Sequence, residues 1–114
     1  MKITIKNTQI SPSPALADYI QKKFSSLSKI IKKIEEKFIP HLNIEIARST
    51  KHHQKGNVYY VEINLKLPKK TLRIEQYDNQ VRVAIDKAKK RLKVALERYK
   101  EELEEAKATS LKEE

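Results

Sequence analysis

The chain opens with polar and apolar residues in alternation. Lys2-Ile3-Thr4-Ile5-Lys6 places two isoleucines on one side of an extended backbone, which predicts a half-buried strand. Ser11-Pro12-Ser13-Pro14 breaks it. Ser13 followed by Pro14 suits an N-cap and first helical position, because proline lacks only an N–H that the first turn cannot use. Leu16, Ile20, Phe24, Leu27, Ile31 and Ile34 then recur at three- and four-residue spacing. That spacing predicts one amphipathic helix fading before Pro40. Leu42, Ile44 and Ile46 alternate with Asn43, Glu45 and Ala47 as a second strand. The polar stretch from Lys51 to Asn57 carries Gly-Asn turn chemistry. Tyr59, Val61, Ile63, Leu65 and Leu67 make the clearest alternation, with Tyr60, Glu62, Asn64 and Lys66 on the other face. Pro68-Lys69-Lys70 turns the chain, and Leu72 and Ile74 mark a short fourth strand.

Asp78 or Asn79 can cap the last element. From Val81, the set Val81, Ile85, Ala88, Leu92, Leu96, Tyr99 and Leu103 keeps to one helical face. A helix from about 79 to 106 would span roughly 40 Å, more than a small sheet needs, so its end should project. The expectation is one domain over residues 1–106 and a short flexible C-terminal tail over 107–114.

The order is therefore β-α-β-β-β-α. A strand, helix and parallel strand cross over right-handed, which places the first helix on one face of the sheet. Each strand offers one apolar face and each helix one apolar stripe. Packing both helices on the same face buries all of them in two layers. The fold class expected is α+β, a two-layer structure with a four-stranded mixed sheet and both helices on one face. The other sheet face, with Lys2, Thr4, Lys6, Asn43, Glu45, Glu62, Asn64, Arg73 and Glu75, should be solvated.

Charge changes this picture from a fold into a binding surface. Among 114 residues, 25 Lys and Arg face 15 Asp and Glu, a net charge of +10. Residues 1–50 carry +5, residues 51–100 carry +9, and residues 101–114 carry −4. Such a field attracts polyanions, nucleic acid first and an anionic membrane surface second. On a wheel centred on Ile85, Arg82, Lys89, Lys93 and Lys100 line one flank of the apolar stripe. Lys87, Lys90, Arg91 and Arg98 cover the far side and the other flank. Only Asp86 and Glu97 interrupt the cations between positions 82 and 100. The first helix adds Lys22, Lys29 and Lys33 on its outer face. Parallel basic rows on a rigid surface can meet the phosphate rows of folded RNA. Basic helix faces are often only a solvated surface, but such a surface mixes signs, and this one does not. A membrane role is disfavoured because the sheet needs the helix's apolar stripe.

Other chemistry falls away. The absence of cysteine removes disulfides, thiolate metal sites and thiol nucleophiles. The lone glycine, Gly56, leaves no glycine-rich phosphate loop. No apolar run approaches the roughly 20 residues of a membrane span, and no signal-peptide core opens the chain. His52 and His53 are adjacent between Lys51 and Lys55, which repel a cation, and no second ligand set has metal spacing. His41 reads as a surface residue. Tyr59 and Tyr60 have rings that can stack on bases, but Tyr59 reads rather as core and Tyr60 as part of the open sheet face. No nucleophile–base arrangement stands out, so neither an enzyme nor a cofactor is expected.

The run from Arg48 to Pro68, RSTKHHQKGNVYYVEINLKLP, resembles the second hairpin of the ribosome hibernation promoting factors, also called ribosome-associated translation inhibitors. Thr71-Leu72-Arg73, Ala84-Ile85-Asp86, and Asp18-Tyr19-Ile20 with Lys23 and Lys29 fit the same family. The resemblance covers about residues 1–100 and is to the short forms, which lack a C-terminal dimerisation domain. It implies a cytoplasmic factor, monomeric when free, that binds the small ribosomal subunit and its rRNA. There it would occupy the mRNA and tRNA channel and hold ribosomes inactive under stress or in stationary phase. Lys23, Lys29, Arg91, Arg98 and Lys100 fall where the family has Lys or Arg. Lys22, Arg82, Lys87, Lys89, Lys90 and Lys93 join the candidate RNA-binding set on charge. Two readings compete: a general double-stranded-RNA-binding module, and a protein that modulates an alternative sigma factor, a role the resemblance also suggests.

Overall fold

The structure is a computed structural model, and it describes residues 1–34, 39–49 and 58–113. Strands β1 (Lys2–Thr8), β2 (His41–Ser49), β3 (Val58–Lys66) and β4 (Thr71–Asp78) form one sheet in the order β1-β2-β3-β4. β1 and β2 run parallel, and the other two pairings are antiparallel. Helices α1 (Pro14–Ser25) and α2 (Ser28–Ile34) lie between β1 and β2, and α3 (Val81–Glu113) follows β4. The expected mixed four-stranded α+β fold is therefore the fold observed. The polar stretch from Lys51 to Asn57, with its two histidines, lies outside the described residues.

The strands follow the two-residue period. Leu42, Ile44 and Ile46 of β2 stand opposite Leu65, Ile63 and Val61 of β3, and all six are buried. Leu72 and Ile74 continue those rungs onto β4. Leu16, Ile20 and Phe24 of α1, Leu27, Ile31 of α2, and Ala84, Ile85, Ala88, Leu92, Leu96 and Tyr99 of α3 join the same core. One continuous core on one side of the sheet means that all the helices cover that side. Tyr59 is half-buried rather than core, because it sits near the end of the ladder opposite Arg48 and Asp78, beyond the last buried rung at Val61.

Two boundaries differ from the sequence expectation. The first helix is two helices. Ser25 and Ser26 donate their hydroxyls to the carbonyls of Lys22 and Lys23, and Ser28 donates to Ser25. Serine hydroxyls that compete for backbone groups in this way weaken a helix. The Leu27 amide reaches only to the Phe24 carbonyl, at 3.0 Å, before α2 resumes. The apolar period runs on because Leu27 is buried within the break itself. At the other end, α3 continues to Glu113 rather than ending near 106. In its last turns the strong helix formers Glu, Ala, Lys and Leu outnumber Thr109 and Ser110, with no Gly or Pro among them. At about 1.5 Å per residue this 33-residue helix is some 50 Å long. Residues 104–110 are exposed, so the end projects as its length implied.

The ends of α1 and α3 are set locally. Ser13 is extended (φ −128°, ψ 119°), and its Oγ accepts the Leu16 amide at 3.2 Å, with Pro14 opening the helix. Ahead of α3, Asp78 accepts the Gln80 amide at 3.1 Å, and the Gln80 carbonyl accepts the Ala84 amide. Asp78 thus fixes the turn from β4 into α3 and hence the azimuth at which α3 presents its cations.

Candidate nucleic-acid interface

Between positions 82 and 100, α3 turns one stripe to the core and carries mostly cations outside it. Arg82, Lys87, Lys90, Arg91, Lys93 and Arg98 are exposed, and Lys89 and Lys100 are half-buried on the flanks. α1 lies alongside, and a groove of about 440 Å³ opens between Lys23 of α1 and Val83, Asp86, Lys87, Lys89, Lys90 and Lys93 of α3. Five lysines therefore surround a single carboxylate.

That carboxylate is already engaged. Asp86 accepts a hydrogen bond from the Tyr19 hydroxyl and lies 3.4 Å from Lys23 Nζ. The negative charge of Asp86, with the Tyr19 phenol adding to it, raises the Lys23 pKa above the ordinary lysine value. The bond to Asp86 likewise raises the Tyr19 phenol. Lys87 has a partner as well: its Nζ is 2.8 Å from Asp78. That bond, with the Gln80 amide behind it, holds the Asp78 carboxyl below its usual value. Lys89, Lys90 and Lys93 have no carboxylate within ion-pair distance among the described residues. They are the groove's free cations.

A second, shallower groove of about 480 Å³ runs along β4, lined by Ile74, Lys90, Arg91, Val94, Ala95 and Arg98. Arg91 is fastened there, donating to the Glu75 carbonyl and to Gln76 Oε1. Lys90 stands between the two grooves and lines both. Lys100 lies 3.9 Å from Glu104 one turn on, a weak surface pair. Lys22 and Lys29 are exposed but line neither groove. The break at Ser26-Leu27 gives Lys29 a helix axis of its own, which a single continuous wheel could not show.

Along the sequence, Asp86 reads as an interruption of the basic row, and Tyr19 has no evident contact. The signal was there in a modest form: one acid alone in a basic run needs a local partner. Asp78 reads along the sequence as a cap, and its pairing with Lys87 emerges only in the fold.

The opposite face of the sheet has another character. Glu62 of β3 accepts from Asn64 at 2.8 Å, from Tyr60 at 2.7 Å and from Arg73 at 3.3 Å. Those bonds bring its carboxyl down to about 2 against the remaining cost of burial. Burial, then the bond to Glu62, raises the Tyr60 phenol. Tyr60 also packs against Tyr77, with ring centres 4.9 Å apart. The carboxylates of this face are paired within it. The helical face leaves cations over, and an array of free cations along a groove can bind phosphates without any covalent chemistry.

Comparison with solved structures agrees with the fold. The N-terminal domain of Thermus thermophilus Protein Y superposes with a TM-score of 0.68 at 23% identity, covering 87% of this chain and 99% of that one. A ribosomal subunit interface protein from Coxiella burnetii gives a TM-score of 0.71 at 21% identity, covering 88% and 98%. No curated protein matches the chain. The family model described as Sigma 54 modulation protein / S30EA ribosomal protein matches residues 3–104, which takes in the sheet from Ile3 on, both grooves and α3 as far as Glu104. The chain belongs to that family.

Proposed function

We propose that this protein is a ribosome-associated inhibitor of translation that binds the rRNA of the small subunit through the α1–α3 groove and the outer face of α3. The observation that carries the reading is the set Lys89, Lys90 and Lys93, free of carboxylates among the described residues and joined in one groove by Lys23 and Lys87. Phosphate contacts of this kind supply affinity and position rather than base sequence, which suits a folded RNA surface. Family membership supports the ribosome as the source of that RNA, as does one structural neighbour of the same fold that is titled a ribosomal subunit interface protein. In this reading the protein acts in the cytoplasm as a monomer without cofactor or catalytic step. It occupies the mRNA and tRNA channel and keeps ribosomes idle under stress or in stationary phase.

Sedimentation with purified small subunits in the presence of excess duplex RNA tests it. The expected result is co-sedimentation that duplex RNA does not displace. Displacement would favour a general duplex-RNA binder. Binding to a protein partner in nuclease-treated extract, with none to subunits, would favour the sigma-factor role in the family's description.

A further inference from the structure

Asp86 is a carboxylate within a basic surface, where by charge alone it weakens the attraction for a polyanion. Its neighbours give it a purpose. The Tyr19 hydroxyl donates to Asp86 Oδ1 across the seam between α1 and α3, and Lys23 Nζ lies 3.4 Å from the same oxygen. Arg82, one turn before Asp86, places its guanidinium carbon 4.6 Å from the centre of the Tyr19 ring. Lys23 Nζ stands 5.5 Å from that centre. Two cations from different helices therefore share one ring, and Lys23 and the ring's hydroxyl meet one carboxylate. The buried residues nearby in sequence, Ile20, Phe24, Ala84, Ile85 and Ala88, are apolar. Hydrophobic contact is non-directional and does not by itself aim a charged side chain.

Long cationic side chains lose rotamer freedom when they bind, and order acquired beforehand removes that cost. We propose that Tyr19 and Asp86 are positioning residues for the basic groove, holding Lys23 and Arg82 at the seam so that RNA phosphates meet cations already in place. The inference rests on the RNA-binding reading above and deepens it. The loss of local positive potential at Asp86 is offset by geometry.

Two substitutions separate positioning from plain charge. Tyr19→Phe keeps the ring and every charge and removes only the hydroxyl donor. Asp86→Asn removes a negative charge from a cationic face. If charge alone mattered, the first would leave affinity for small subunits unchanged and the second would raise it. Positioning predicts that both lower it, Tyr19→Phe by about twofold to tenfold, the scale of ordering one long side chain. The slope of affinity against salt should stay the same, because the phosphate contacts keep their number.

Binding is measured by sedimentation with subunits at fixed Mg²⁺, with thermal midpoints confirming the fold. A readout without RNA accompanies it: the Lys23 ammonium, followed by NMR, should be ordered in the wild type and mobile in Tyr19→Phe. Tighter binding by folded Asp86→Asn, unchanged binding by Tyr19→Phe, or equal Lys23 mobility in both proteins would overturn the proposal. Should Asp86→Asn fail to fold, Tyr19→Phe decides. A wild type that does not bind subunits overturns the ribosomal reading instead. Wild-type binding that neither variant disturbs overturns the positioning role alone.

Discussion

Glu62 and Glu75 are direct cross-strand partners on the open face of the sheet, a register in which two like charges destabilise. Arg73 resolves the conflict by reaching both, at 3.3 Å from Glu62 and 3.0 Å from Glu75. Glu45 completes the row as the β2 partner of Glu62, and Lys6 pairs with it at 3.5 Å. Each glutamate of the row is thus paired with a cation of the same face.

A pH dependence follows from Glu62. Its carboxyl is lowered from 4.5 to about 2 in the folded protein. A depressed carboxylate contributes stability above its unfolded value, and that stability is lost as pH falls toward the folded value. Urea unfolding should show stability declining between about pH 4.5 and pH 2. Glu62→Gln should be less stable at neutral pH by about 2 kcal/mol, the scale of hydrogen bonds to a charged group. It should also flatten the acid limb, and an unchanged limb would place the titration on other carboxylates.

The N-cap of α1 gives a second test. Ser13→Ala removes the acceptor for the Leu16 amide and should cost about 1 kcal/mol. Ser13→Asp should restore it. Thermal denaturation of the three proteins is sufficient, and a neutral Ser13→Ala would mean that Pro14 alone fixes the start of the helix.

How legible all this was in the sequence depended on the range of the interaction. The strands were readable because Leu42-Ile44-Ile46 and Val61-Ile63-Leu65 keep a two-residue period that only a half-buried sheet rewards. The Ser13-Pro14 entry was readable because capping is local. The break in the first helix was not, since Leu27 preserved the apolar period while three serines undid the backbone ladder. The candidate site divided in the same way. The free lysines of α3 follow from its own wheel. The Tyr19–Asp86 bond joins residues 67 apart in the chain, and no pattern along either helix announces it.

The projecting end of α3 should be dispensable for folding. Residues 104–110 are exposed, and none of the described core residues lies beyond Leu103. The thermal midpoint should stay within error of the full chain. A large loss would show that the end is packed against something the fold depends on.

The final test concerns occlusion. Lys89, Lys90 and Lys93 have no carboxylate partner among the described residues, and surface changes of this kind each alter stability by no more than about 0.5 kcal/mol. Arg91 is a poorer target because it also holds the edge of β4. The triple change Lys89→Glu, Lys90→Glu and Lys93→Glu should therefore fold, yet fail to bind small subunits and fail to inhibit a purified translation reaction. Wild-type affinity should fall by about 10³- to 10⁵-fold between 50 and 200 mM salt if six to ten phosphates are engaged. A flat salt response would mean that the charge serves solubility only. Occlusion adds a requirement that charge does not: mRNA and initiator tRNA, loaded beforehand, must slow binding at constant salt and Mg²⁺. Free access to loaded subunits would place the protein outside the channel, and inhibition would then have to arise from holding the subunit in an inactive conformation.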